Sequence, residues 1–165
     1  MAQRFLRETT AEVLFDDFSR GLYSTDASIY QIKPLGVVVP KTEEDVLATL
    51  SIANDIGVSV TMRGGGTSQC GQTVGDGIIV DVSKHLNRLI SVDTETRRAV
   101  VQPGIVLDQL NALLKPHRLF FPVDVSTSSQ ATIGGMTANN SCGARSIRYG
   151  KMVDNVSAVD AVLAD

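Results

Sequence analysis

Three consecutive glycines, Gly64, Gly65 and Gly66, follow directly on the run Val58-Ser59-Val60-Thr61-Met62, and this junction constrains the fold more than any other stretch. The run has the composition of a buried strand, so the chain leaves a sheet edge into a loop with no Cβ atoms to obstruct approach. Successive amides without side chains can turn their N–H groups into one concavity suited to an anion, and Thr67 and Ser68 add two hydroxyl donors. Residues 63–72, RGGGTSQCGQ, are therefore a candidate cradle for a phosphate or pyrophosphate, drawing on Arg63, Gly64, Gly65, Gly66, Thr67, Ser68, Gly71 and Gln72. The alternative is a long glycine-rich surface turn.

With 165 residues and 43% hydrophobic content, the chain can bury the core of one domain or two small lobes. A formal net charge of -3 and the lack of any long Lys/Arg run argue against nucleic acid as a partner. Apolar runs such as residues 37–39 and 78–80 are too short to cross a bilayer, so no membrane segment is expected. Charges at Arg4, Arg7, Glu8 and Glu12 leave no apolar signal core, which points to a cytoplasmic protein with Cys70 and Cys142 as reduced thiols. Two cysteines and two histidines show no metal-ligand spacing, and no metal site is expected.

Along the chain, Thr9 with Glu12 has capping-box spacing, and Val13, Leu14, Phe18 and Leu22 mark one face of a helix in an N-terminal arm, residues 1–34. Residues 35–39 form a strand stopped by Pro40. Thr42-Glu43-Glu44-Asp45 repeats the capping signature, Val46, Leu47, Leu50, Ala53 and Ile56 keep helical spacing, and Gly57 is the C-terminal cap. This is a β-α-β unit, with the glycine loop after its second strand. A strand over residues 78–82, a hairpin over 89–102 and a helix over 105–114 ended by Pro116 complete a first α/β region, residues 35–115. A second region, residues 116–165, begins with an irregular Ser/Thr/Asp-rich stretch over 122–132.

Thr132 then N-caps a helix whose first turn carries Gly134 and Gly135. Glycines weaken a helix by roughly 0.5–1 kcal/mol each, so propensity does not explain them and close approach of a ligand does. Backbone amides at that helix N-terminus are a second candidate anion site, with Asn139, Asn140 and Ser141 supplying short donors and acceptors at the far end. The alternative makes Gly143 a plain left-handed cap of the helix.

A nucleotide triphosphate loop is nearly matched by residues 66–73, GTSQCGQT, but Gln72 stands where the phosphate-reaching lysine is needed and Gly75 and Gly77 follow where a helix must start. The GxGxxG spacing of dinucleotide-binding turns fails at both glycine clusters. Four blocks carry a more specific pattern: Val37-Val38-Val39-Pro40 with residues 42–46, Arg63-Gly64-Gly65-Gly66-Thr67-Ser68, Ala131-Thr132-Ile133-Gly134-Gly135-Met136, and Arg148-Tyr149-Gly150-Lys151 with Asp154-Asn155-Val156. In order and spacing they resemble the FAD-binding domain of the FAD-linked oxidase superfamily, the vanillyl-alcohol oxidase or PCMH type. Residues 21–30 and 139–144 are similar to the large bacterial D-2-hydroxy-acid dehydrogenases, acting on D-lactate, glycolate or D-2-hydroxyglutarate, in which the flavoprotein is fused to an iron–sulfur region.

The resemblance implies an α+β fold of two α/β subdomains, truncated here on the C-terminal side, with FAD extended between them. It implies that the glycine loop holds the pyrophosphate, that Pro122 with Thr132, Gly134, Gly135, Ala138, Asn139, Asn140, Ser141 and Gly143 lines the ribityl chain and isoalloxazine, and that Tyr149 and Gly150 lie at the adenine-side wall. Relatives that attach FAD covalently in this loop carry histidine at the position of Thr67, so noncovalent FAD is expected. Cys142 is either a reactive thiol or a small buried filler.

The implied reaction oxidises a D-2-hydroxy acid to a 2-oxo acid by hydride transfer to the flavin, while a base takes the hydroxyl proton. Neither His85 nor His117 lies in a motif suited to that base, and no catalytic residue is expected within the chain. Residues 156–165 form a strand-like apolar run, taken as the broken end of a fragment that is inactive alone and self-associates through its unpaired edge near residues 159–163. Any iron–sulfur cluster belongs to the longer parent, which could sit peripherally on the inner membrane. A cofactor-free interaction module of the same fold is the alternative function.

Overall fold

Short β-branched runs separated by a capped helix become a mainly parallel sheet. The computed structural model describes residues 1–163 and falls into two compact units, Met1–Leu86 with the run from Val162, and Asn87–Ala161. The first unit contains α1 (Ala2–Glu8), β1 (Glu12–Leu14), α2 (Asp17–Leu22), β2 (Gly36–Val39), α3 (Glu43–Asp55), β3 (Val60–Arg63) and β4 (Ile78–Asp81). The sheet order is β1-β2-β4-β3, with β1 antiparallel to β2 and both β2 and β3 parallel to β4. β2 and β4 are buried along their whole length, as central strands covered on both faces must be. Val38, Ile78 and Val80 pack with Phe5 and Ile52, while Val37, Val39 and Ile79 pack with Leu14 and Tyr23. β3 is an edge strand and only half-buried.

The Thr42 signature forms a complete capping box. Its hydroxyl accepts from the Asp45 amide at 3.2 Å, and the Asp45 carboxylate accepts from the Thr42 amide at 3.3 Å. Gly57 follows the last turn of α3 with φ +66°, the left-handed conformation that ends a helix without a Cβ clash.

The Thr9–Glu12 spacing does not open a helix. Thr9 instead ends α1, its hydroxyl donating to the Phe5 carbonyl at 2.8 Å, and Val13 pairs with Val38 in the sheet. Strand pairing satisfies backbone groups that a local cap leaves open, and it overrides the cap. The helix of this region starts at Asp17, where the Asp16 carboxylate accepts from the Ser19 amide at 2.9 Å, and it leaves Phe18 and Leu22 exposed. Residues 1–34 are therefore no separate arm: Phe5 is fully buried in the core of the first unit.

The second unit holds the hairpin β5 (Leu89–Asp93) and β6 (Arg98–Val101), then α4 (Leu107–Leu114), α5 (Ile133–Ala138), α6 (Ser146–Tyr149) and α7 (Met152–Asn155). The Asp93 carboxylate closes the hairpin turn by accepting from the Glu95 and Thr96 amides and the Thr96 hydroxyl. Leu107, Leu110 and Leu114 share one core with Val123, Ile133, Met136 and Met152, and Leu89, Val92 and Val101 pack against it. The hairpin and α4 thus belong with the later residues, and the division lies at Leu86, not at residue 115, because that core gathers both sides of the expected boundary. Residues 156–163 form no strand, since no neighbouring strand pairs with them among the described residues; residues 164 and 165 of the expected run lie outside those described.

Candidate functional site

β3 delivers the chain into the glycine loop at Arg63, and Gly66 and Gly71 turn it with φ of +65° and +74°. Among the described residues nothing accepts a hydrogen bond from the backbone N–H groups of Gly64, Gly65, Gly66, Thr67 or Ser68. The loop is exposed or half-buried throughout, so these five N–H groups are open to an acceptor from outside the chain. Gly65 is exposed, which opens the row to solvent.

The side chains of the loop are used differently from the sequence expectation. The Ser68 hydroxyl donates to Gln72 Oε1 at 2.7 Å and accepts from the Cys70 amide at 3.1 Å, so both side chains shape the loop. Arg63 turns inward: Nη1 donates to the Thr73 carbonyl at 3.2 Å, and the guanidinium carbon lies 5.2 Å from the centroid of the Tyr23 ring. A Cβ on Gly66 would stand 2.7 Å from Arg63 Nη2, a second reason for glycine there. Beneath this pair, the Tyr23 hydroxyl donates to buried Asp81 at 2.7 Å, and the Ser83 amide and hydroxyl donate to the other carboxylate oxygen. Desolvation first, and then the bond to Asp81, push the Tyr23 phenol well above the usual tyrosine range.

The second glycine pair has another cause. Thr132 caps α5 as its sequence demands, its hydroxyl accepting from Gly135 N at 3.3 Å. The Ile133 amide donates to the Ile105 carbonyl at 2.9 Å, the Gly134 amide to the Pro103 carbonyl at 2.8 Å, and the Met136 amide to the Thr132 carbonyl at 2.8 Å. Every amide of that first turn is satisfied within the chain, so the helix N-terminus is not the open anion site expected. A Cβ on Gly134 would lie 2.6 Å from Pro103 Cβ and 2.9 Å from its carbonyl oxygen; the close approach is to the chain itself.

Further on, Gly135, Ala138, Asn139 and Asn140 are exposed, whereas Pro122, Ser141 and Gly143 are half-buried. Asn140, with φ +46°, makes the left-handed exit from α5 in place of Gly143. Gly143 instead lies against Asp124, whose carbonyl oxygen a Cβ would overlap. Tyr149 packs edge-on to Phe120, and Gly150 takes φ +82° beside Asp154. Cys142 is exposed, like Cys70, and so is not a buried filler: it stands on the turn between α5 and α6, outside the shared core. His85 pairs with Glu12 at 2.6 Å, and His117 is exposed. Tyr23, Asp26 and Tyr30 lie in the block 21–30 that the sequence marks only by resemblance, with no site role expected, and Asp81 carries no site expectation; all four touch the loop or its support, and a carboxylate closing the apolar run of β4 is the available signal for Asp81.

The FAD binding domain family matches residues 34–165, from the start of the parallel sheet onward. The chain belongs to this family. The FAD-binding domain is 46% identical over 143 residues to a D-2-hydroxyglutarate dehydrogenase of Pantoea ananatis, covering 85% of this chain and 14% of that protein. It is 37% identical to the glycolate oxidase subunit GlcD of Bacillus subtilis, covering 92% of this chain and 33% of that protein. An alkyldihydroxyacetonephosphate synthase superposes with a TM-score of 0.83 at 22% identity, over 93% of this chain and 32% of that one. These likenesses establish the α+β, PCMH-type fold of the FAD-binding domain, which spans about one seventh of the length of its D-2-hydroxyglutarate dehydrogenase relative. No helix among the described residues is long and apolar enough to cross a membrane.

Proposed function

We propose that this domain holds FAD noncovalently, with the free N–H groups of Gly64, Gly65, Gly66, Thr67 and Ser68 receiving the pyrophosphate, as the cofactor-binding part of a D-2-hydroxy-acid dehydrogenase. The row of unpartnered amides is the observation that carries this reading. Neutral amide dipoles fixed in place stabilise phosphate charge without the cost of reorienting water, and the absence of side chains at three successive positions lets the oxygens come close. Thr67 offers no imidazole for a covalent link. In the second unit, exposed Gly135, Ala138, Asn139 and Asn140 are proposed contacts of the cofactor, with Thr132 and Gly134 in support. Bound FAD supplies the hydride acceptor for oxidation of the hydroxy acid. Substrate groups, and any iron–sulfur cluster that takes the electrons onward, are assigned to a longer protein, and a cytoplasmic location is inferred for it.

The test is a flavin fluorescence titration of the chain beside a Gly65→Trp variant. Gly65 is exposed and has no positive φ, so the backbone tolerates the indole, which would cover the amide row. Binding by the parent with at least a tenfold loss in the variant is expected. No spectral change with either protein would favour the cofactor-free interaction module instead.

Self-association, expected from the sequence, is kept as a proposal; Ile147, Ile29 and Val153 are 99%, 95% and 68% exposed.

A further inference from the structure

Residues 24–31 double back on themselves ahead of the family-matched region. Thr25 and Gln31 form an antiparallel bridge, the Ile32 amide donates to the Ser24 carbonyl at 2.9 Å, and the Ser28 amide donates to Asp26 Oδ1 at 2.8 Å. This closed segment touches the glycine loop at three points. Asp26 Oδ2 accepts from the Thr73 hydroxyl at 3.0 Å and from the Thr73 amide at 3.5 Å. The Ala27 amide donates to the Gly66 carbonyl at 3.1 Å. The Tyr30 ring covers Gly71, where a Cβ would fall 2.6 Å from Cδ2.

The middle contact has a directional consequence. A trans peptide is planar, with its C=O and N–H pointing opposite ways, and no cis bond occurs among the described residues. Holding the Gly66 carbonyl toward Ala27 therefore aims the Thr67 N–H away from the segment. Glycines at Gly64, Gly65 and Gly66 give the loop no stiffness of its own, so its shape has to be imposed from outside. Arg63 on the Thr73 carbonyl and Asp26 on the Thr73 amide and hydroxyl fix the other end of the loop from two elements.

We propose that residues 24–31 are a strap that presets the glycine loop for its anion, with Asp26 as the positioning residue. The inference deepens the FAD reading and rests on it for the identity of the anion. The strap adds no contact to the cofactor; it lowers the ordering entropy that a loose glycine loop loses on binding.

The test uses the full chain with Asp26→Ala, Thr73→Val and Thr73→Ser. Two quantities are read: backbone 15N heteronuclear NOEs at residues 64–68 without ligand, and the Kd for FAD by flavin fluorescence. Asp26→Ala and Thr73→Val are expected to lower those NOEs and to weaken FAD about tenfold, in line with loss of a hydrogen bond to a charged group. Thr73→Ser, which keeps the hydroxyl, restores both. A role in folding alone would lower the melting temperature and leave the NOEs at 64–68 and the Kd of the folded protein unchanged. Unchanged NOEs in Asp26→Ala or, should that variant not fold, in Thr73→Val overturn the strap whether or not FAD binds. A parent that fails to bind FAD while Asp26→Ala still loosens the loop overturns the FAD reading and supports the hold of the strap on the loop.

Discussion

Gly134→Ala separates two explanations of the glycines in α5. By helix propensity the change is favourable, by about 0.5–1 kcal/mol. The new methyl, however, would lie 2.6 Å from Pro103 Cβ, 2.9 Å from its carbonyl oxygen and 3.1 Å from its Cα. A proline ring and main chain cannot swing aside as a flexible side chain does, so the cost falls in the upper part of the overpacking range, about 2–3 kcal/mol. Any displacement of α5 also stretches the 2.8 Å bond from the Gly134 amide to Pro103, which contributes about 1 kcal/mol. The net expectation is a loss of about 2 kcal/mol, or roughly 10 °C in Tm for a unit of this size. Gly135→Ala is the control: it is exposed, and its nearest neighbour is the Thr132 hydroxyl at 3.2 Å, so it should stay within about 1 kcal/mol of the parent. Urea unfolding followed by circular dichroism, without flavin, measures both. A Gly134→Ala protein as stable as the parent refutes the packing argument and returns Gly134 to a place where a ligand approaches.

Asp45→Asn should cost about 2 kcal/mol at neutral pH, because a carboxylate only 4% exposed accepts from the Thr10 amide, the Thr10 hydroxyl and the Lys41 amide at 2.7–2.9 Å. Desolvation raises the pKa of this group, and the bonds from Thr10, Lys41 and Thr42 outweigh it and hold it below the usual aspartate value. The stabilisation is therefore present above the unfolded pKa of about 4 and fades as pH falls through the folded value; thermal unfolding from pH 7 to 3 should show that acid slope flattened in Asp45→Asn. Sedimentation velocity tests self-association: concentration-dependent larger species are expected, and a single monomer peak at high concentration refutes the inference.

Elements whose signals are local were legible before the structure. Thr42 and Asp45 cap α3, Gly57 ends it, the apolar runs at 37–39 and 78–80 are the central strands, and Thr132 starts α5, each through atoms within a few residues. The failures are cases in which a distant segment outbids a local pattern. Thr9 and Glu12 have the spacing of a cap, yet Val13 finds Val38, and the helix is displaced to Asp17. The boundary after residue 115 fails for the same reason, since Leu110 and Met136 share a core across it.

The two glycine clusters show where sequence reasoning about the site reaches its limit. Glycine reports that something approaches the backbone closely and is silent about what approaches. At Gly134 the visitor is Pro103, thirty-one positions upstream, and the amide is consumed by the same residue that excludes the side chain. At Gly64 and Gly65 nothing among the described residues takes the amides, although β4 and residues 24–31 both lie within reach of the loop ends. The two clusters, alike in composition, differ in their hydrogen bonds: the Gly134 amide bonds Pro103 within the chain, whereas residues 64–66 have no acceptor among the described residues. The Arg63 guanidinium donates through Nη1 to the Thr73 carbonyl and lies over the Tyr23 ring, so at least part of it serves the chain itself. On the proposed reading, a pyrophosphate here would be met by backbone dipoles, whose effect depends on orientation, and the bonds from the Ala27 amide to the Gly66 carbonyl and from Thr73 to Asp26 are the contacts proposed to set it.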